Sequence, residues 1–182
     1  KKALPLRRFT VSEYHRMIDA GILYEGERAE LIDGVIIQQM PQKSKHSAVI
    51  NQMTRQFYQL VPNEEALLRV QTPIILTDNT EPEPDLAMVK PRVDVYVKAH
   101  PSSADVLLLV EVSDTTLEYD QEIKLPRYAA SGIPDVWIVN LVDDRIEVYR
   151  DPITLPDGMD IYQTRTDLVK GDTLISHALP SL

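Results

Sequence analysis

Cysteine is absent from this chain of 182 residues. Disulfides, zinc-thiolate centres and thiol nucleophiles are therefore excluded. No apolar run approaches the roughly 20 residues that span a bilayer, so no membrane partner is expected. The opening residues, Lys-Lys-Ala-Leu-Pro-Leu-Arg-Arg, lack the apolar core of a signal peptide. The expectation is an intracellular, cytoplasmic protein. There is no glycine-rich loop to cradle phosphates and no Gly-x-Ser-x-Gly turn to present a serine nucleophile. Basic residues are in the minority: 19 Lys and Arg against 28 Asp and Glu give a net charge of −9. Phosphate affinity comes mainly from Lys and Arg, so this acidity counts against a nucleic-acid partner. It does not exclude one, because bound divalent ions and a local basic face change the field near a site. Arg7-Arg8, Lys43-Lys45-Arg55 and Lys90-Arg92-Lys98 are candidate basic spots, and each also reads as ordinary solvated charge.

A hydrophobic share of 43% and a charged share of 26% are those of a globular protein, and the length suits one domain spanning residues 1–182. Thr10-Val-Ser-Glu13 is a capping box and predicts a helix over Val11 to Ala20, closed near Gly21. Asp33-Gly34 between β-rich arms predicts a hairpin over Ala29 to Gln38. Ser44 is a candidate cap for a helix whose apolar positions Val49, Met53, Phe57 and Leu60 lay one face on a sheet. Thr77 to Pro84 reads as a loop. Strands are expected at Leu67 to Leu76, Leu86 to Val89 and Val106 to Val112, the last buried on both faces. A helix follows from Leu117 or Asp120 to Ser131, stopped by Gly132. Pro126 requires it to start late or bend. A hairpin around Asp143-Asp144, alternation over Ile161 to Thr166 and a short strand at Thr173 to Ser176 complete the reading. The fold class is α/β or α+β: a mixed central sheet flanked by helices, with additional β-hairpins.

Two carboxylates stand out. Glu111 ends the apolar run Val106 to Val110, and Asp85 opens the apolar stretch Leu86 to Val89. A carboxylate at a buried strand end must be paired or metal-bound, because leaving it bare is costly. Acids from the ends of two strands in one sheet can converge on a divalent ion such as Mg²⁺ or Mn²⁺. A lysine from the following helix, Lys124, can return over the sheet end to add a donor for developing charge. Taken singly, Asp85 also reads as a loop acid, Glu111 as a solvent-facing charge and Lys124 as a solvated helix residue. One shared site accounts for all three. Trp137 reads as core, while His15, His100 and His177 show no metal-ligand spacing and read as ordinary surface or loop residues.

The ordered series Glu30-Leu-Ile-Asp-Gly34, Pro84-Asp85, Glu111 to Asp120, Lys124, Tyr128 and Gly132-Ile-Pro-Asp-Val-Trp137 resembles the Uma family of restriction-endonuclease-like proteins. Within it, Pro84-Asp85 and Glu111-Val-Ser113 resemble the core of the PD-(D/E)XK nuclease superfamily. The resemblance implies a restriction-endonuclease-like core, with Asp85 and Glu111 as metal ligands, the Val112 carbonyl as a third ligand and Lys124 as catalytic lysine. The superfamily's usual lysine position is Ser113 here, so Lys124 acts as a migrated lysine. Glu30 corresponds to an additional acid near the site, and His46, at a helix start, matches a family position that can contact phosphate or assist a water. Asp120 reads as an orienting partner. The implied activity is Mg²⁺-dependent cleavage of DNA, with a homodimer supplying the two cuts a duplex needs. The competing readings are a non-catalytic nuclease-fold binding or regulatory protein and a hydrolase of small phosphate esters.

Overall fold

The computed structural model describes residues 5–24, 28–179 and 181–182. The first four residues of the basic opening segment lie outside that set. Among the described residues, α1 spans Val11–Asp19, and its capping box is complete: Thr10 and Glu13 each bond the other's backbone N–H. β1 (Ala29–Ile32) and β2 (Val35–Gln38) form the expected hairpin. Asp33 and Gly34 both have positive φ, 49° and 74°, the requirement of a tight two-residue turn.

α2 (Ser44–Leu60) buries Ile50 and Phe57 and rests Val49 and Met53 on the same core. Two details differ from expectation. Ser44 lies inside the helix, and the capping position belongs to Lys43, which makes no side-chain cap bond. Leu60 is exposed, and Val61, just past the helix end, takes the buried place.

The main sheet has six strands in sequence order: β3 (Leu67–Val70), β4 (Leu86–Val89), β5 (Val106–Ser113), β6 (Asp135–Asn140), β7 (Arg145–Thr154) and β8 (Asp160–Leu168). β3 stops short of Leu76 because Gln71 turns to φ 47° and Pro73 follows. Thr173 to Ser176 form no strand. Ser176 and the His177 backbone instead bond the buried Asp135 carboxylate. The sheet is antiparallel except for β5 and β6, which are parallel. A parallel pair needs a crossover, and here it is helical: α3 (Leu117–Tyr119), a π-turn (Asp120–Lys124) and α4 (Leu125–Ala130). The π-turn resolves the Pro126 problem. The Leu125 N–H reaches back to the Asp120 carbonyl, widening the coil just ahead of the proline ring.

Cores lie on both faces of the sheet. Leu86, Met88, Leu108, Val110, Val112 and Trp137 share one side with α2, where Phe57 meets the Trp137 ring edge-on at 6.1 Å. Ala87, Val89, Leu109, Val136 and Ile138 face the other, beneath Tyr128. Strand alternation assigns Glu111 to this second side, the side of Leu109 and the crossover helix. The fold class is that read from the sequence: a mixed sheet with helices and additional hairpins.

Candidate active site

β4 and β5 pair antiparallel, with Leu86 opposite Val110 as the last ladder partners. One further step in that register places Asp85 opposite Glu111. β4 ends there, so the backbone donors that would continue the ladder meet carboxylates instead. The Val112 N–H donates to Asp85 Oδ2 at 2.9 Å, and the Asp85 N–H donates to Glu111 Oε2 at 3.4 Å. Glu111 is thus not the strand's final residue, since β5 runs on to Ser113 beside β6.

Lys124 arrives from the π-turn. Its Nζ donates to Glu111 Oε1 at 3.1 Å and lies 3.5 Å from Glu30 and 4.0 Å from Asp120. The Tyr128 hydroxyl, one helical turn on, donates to the same Glu111 oxygen. Asp120 accepts from Ser113 at 2.7 Å and Thr116 at 2.8 Å. Ser113, where the resemblance read from the sequence expects the usual lysine, is a buried partner of Asp120, and the ammonium group comes from Lys124. Glu30, carried on β1, accepts from the Glu83 N–H at 3.0 Å and the Tyr119 hydroxyl at 2.8 Å. His46, in the first turn of α2, lies 3.1 Å from Asp85 Oδ1, which also accepts from Gln71 at 3.1 Å. Because a carboxylate accepts, His46 Nε2 is the donor in this contact.

The structure thus brings Asp85, Glu111, Lys124, Glu30, His46, Ser113 and Asp120 to one end of the sheet. Asp85, Glu111, Lys124, Glu30, His46 and Asp120 line a cavity of about 280 Å³. Four buried acids face one buried lysine, a set of carboxyl oxygens that can take a cation in exchange for protons. Burial, abetted by Asp120 and Asp85, pushes Glu111 up to about 8 against the pull of Lys124 and Tyr128. Burial would lower Lys124, but Glu111 and Glu30 more than offset it and hold the ammonium charged well above its ordinary range. Burial would raise Asp85, yet His46, the Val112 N–H and Lys124 bring it below the usual carboxylate range. Asp120 is raised, chiefly by burial.

The donor set fits a hard divalent ion. A carboxylate offers roughly four lone-pair positions. Asp85 uses three, on His46, Gln71 and Val112. Glu111 also uses three, on Lys124, Tyr128 and Asp85. Each retains one position, and both residues line the same cavity.

Sequence reasoning gave no role to Tyr119, Tyr128 or Gln71. Tyr128 had a signal, since it lies one turn beyond Lys124. Gln71 had none, because its position depends on where β3 breaks. His15 and His100, read as ordinary residues, converge with Glu81 away from this site. Half of the residues in the basic spots are ion-paired among the described residues: Arg7 with Glu13, Lys43 with Asp114, Lys45 with Asp144 and Arg92 with Asp94. None of the described helices is long and apolar enough to cross a membrane.

A family model named Uma2, whose description reads "Putative restriction endonuclease", matches residues 11–182. Among solved structures, a crystal structure titled as a putative nuclease belonging to DUF820, from Anabaena variabilis, shares the fold. It has a TM-score of 0.69 at 19% identity, over 92% of this chain and 88% of that one. No curated protein matches the chain.

Proposed function

The chain belongs to the Uma2 family, and from that premise we propose that it is a metal-dependent endonuclease hydrolysing DNA phosphodiester bonds at the Asp85–Glu111–Lys124 site. The observation that carries this reading is the opposition of Asp85 and Glu111, each with one unused lone-pair position, beside a charged Lys124. The series then acts as a PD-(D/E)XK site with its lysine moved to the crossover helix.

Asp85 and Glu111 would hold Mg²⁺, with Mn²⁺ as a substitute. A strand residue's N–H and C=O point to the same edge, and the Val112 N–H already points at Asp85. Its carbonyl therefore faces the same open edge and is the third ligand in this proposal. An ion held there would supply Lewis acidity toward a phosphodiester and toward water. Lys124, held as an ammonium, donates to the developing negative charge and is no general base. His46 and Gln71 orient Asp85, while Ser113 and Thr116 fix Asp120. Glu30 couples the β1–β2 hairpin to the site through the Glu83 N–H and Tyr119. A two-fold dimer would present two such sites to a duplex, a state that light scattering in solution tests directly.

The net charge of −9 favours a second reading, a nuclease-fold protein that binds without cutting. Plasmid nicking in Mg²⁺ or Mn²⁺ separates the two. Cleavage by the wild type that disappears in Asp85→Asn and Lys124→Ala, with circular dichroism unchanged, supports the endonuclease. Cleavage that survives both substitutions removes this site from consideration. No cleavage of any nucleic acid, together with a partner recovered by pull-down, supports the binding protein.

A further inference from the structure

His15 projects from α1, Glu81 lies in the loop before Asp85, and His100 lies just ahead of the 3₁₀ turn at Ser103–Asp105. They are remote in sequence, yet one potential ligand atom from each lies within 4.8 Å of the others. The His15 ring nitrogen Nε2 stands 2.9 Å from both Glu81 oxygens. Glu81 is only 2% exposed, and among the described residues His15 is the sole donor to its carboxylate. A buried carboxylate with one donor for roughly four lone-pair positions is under-satisfied. The cluster lines a second cavity, of about 430 Å³, and the ion-paired Arg28 and Glu83 line both cavities.

We propose that His15, Glu81 and His100 form a second metal site, for a zinc-class transition ion, distinct from the carboxylate site at Asp85 and Glu111. Two imidazoles and one carboxylate with a side open to a cavity make a three-ligand zinc arrangement with a free fourth position. Imidazole nitrogen selects zinc and its neighbours over magnesium, so the two sites divide metals by donor type. The ion ties α1 to the loop that delivers Asp85. That loop is already anchored by reciprocal backbone bonds between Leu31 and Glu81, and by the bond from the Val11 N–H to the Asp78 carbonyl. Among the described residues two cationic groups oppose an ion: Arg69 Nη2, 3.4 Å from His100 Nδ1, and Arg28, which lines the same cavity and is paired with Glu83.

Cobalt(II) is the probe, because its visible d–d bands report low-coordinate nitrogen ligation. The full-length protein is titrated with cobalt as wild type and as Asp85→Asn, His46→Ala, His15→Ala and His100→Ala, each checked by circular dichroism. The expected result is one equivalent of coloured ion in the first three, displaced by zinc, and loss of the bands in the last two. Arg69→Met should tighten binding several-fold. Zinc should raise the melting temperature of the wild type and not of His15→Ala. Absence of bands in the wild type, their survival in either His15→Ala or His100→Ala, or their loss in His46→Ala overturns the proposal. Retention in Asp85→Asn keeps the outcome independent of the endonuclease reading. Both histidines are partly exposed, and His15→Gln and His100→Gln serve if an alanine variant fails to fold.

Discussion

Asp85 faces Glu111 one step beyond the last ladder pair of β4 and β5, and each carboxylate accepts a backbone N–H from the opposite strand. The two acids stand where the sheet's own hydrogen bonding would have continued. Their spacing is consequently set by strand register, the most rigid ruler available in this fold.

Asp85→Asn keeps the side chain's shape and removes its charge. Calorimetric Mn²⁺ titration should show binding lost, and nicking should fall by about 100-fold or more. Thermal unfolding should show the fold retained. Full Mn²⁺ binding by the variant would place the ion elsewhere.

Lys124→Met should separate metal binding from chemistry. The ammonium lies 3.1 Å from Glu111, where it repels an incoming cation, so its removal should leave Mn²⁺ binding intact or tighter. Cleavage should nevertheless fall by about 100- to 1,000-fold, because the donor to the developing charge is gone. Parallel loss of both would instead assign Lys124 to holding the fold.

The proton on Glu111 makes a prediction with a definite sign. The group titrates near 4.5 when unperturbed and is raised to about 8 in the folded chain. Between those values the folded state keeps a proton that the unfolded state has lost. Without metal, Glu111 should therefore make stability fall with rising pH across this window, by at most about 1.4 kcal/mol per unit. Urea unfolding in chelator at several pH values, wild type against Glu111→Gln, isolates the effect. A wild-type advantage that grew from pH 5 to 8 would mean an ionised Glu111. Mn²⁺ affinity should rise over the same range and level off above about pH 8, with proton release on binding.

His46→Ala removes a hydrogen-bond partner from Asp85 without touching the proposed ligands. Partners behind metal ligands are typically worth about 10- to 100-fold in affinity, and a loss of that size is expected in the same titration. The Asp85 carboxyl should also titrate higher, since His46 helps to hold it down.

Gly34→Ala tests the hairpin. A methyl group there would meet the Phe9 backbone N and O at 2.9 Å, in a residue already at φ 74°. A cost of about 1–3 kcal/mol is expected by chemical denaturation. A neutral substitution would show that Arg8 and Phe9 can yield.

The central elements were legible because local signals agreed with the fold. Asp85 and Glu111 were marked by the apolar runs they bound, and the β1–β2 turn by Asp33-Gly34. Lys124 was placed in the helix after β5, although nothing local announced the π-turn that accommodates Pro126. Misreadings came where tertiary contacts decide. Leu60 has the right helical spacing but sits where α2 leaves the sheet, so Val61 is buried instead. Thr173 to Ser176 has strand-like composition, but the chain there answers to Asp135. Glu81, His15 and His100 could not be joined from sequence. Their meeting depends on α1 and two loops arriving at one place, and no spacing rule spans such separations.

The crossover between β5 and β6 divides the site by what each part depends on. Lys124 is carried by the segment that joins these two parallel strands, so its reach to Glu111 depends on how β6 lies beside β5. Asp85 and Glu111 are set opposite one another by β4 and β5 alone. The acids answer to one strand pair and their counter-charge to the next.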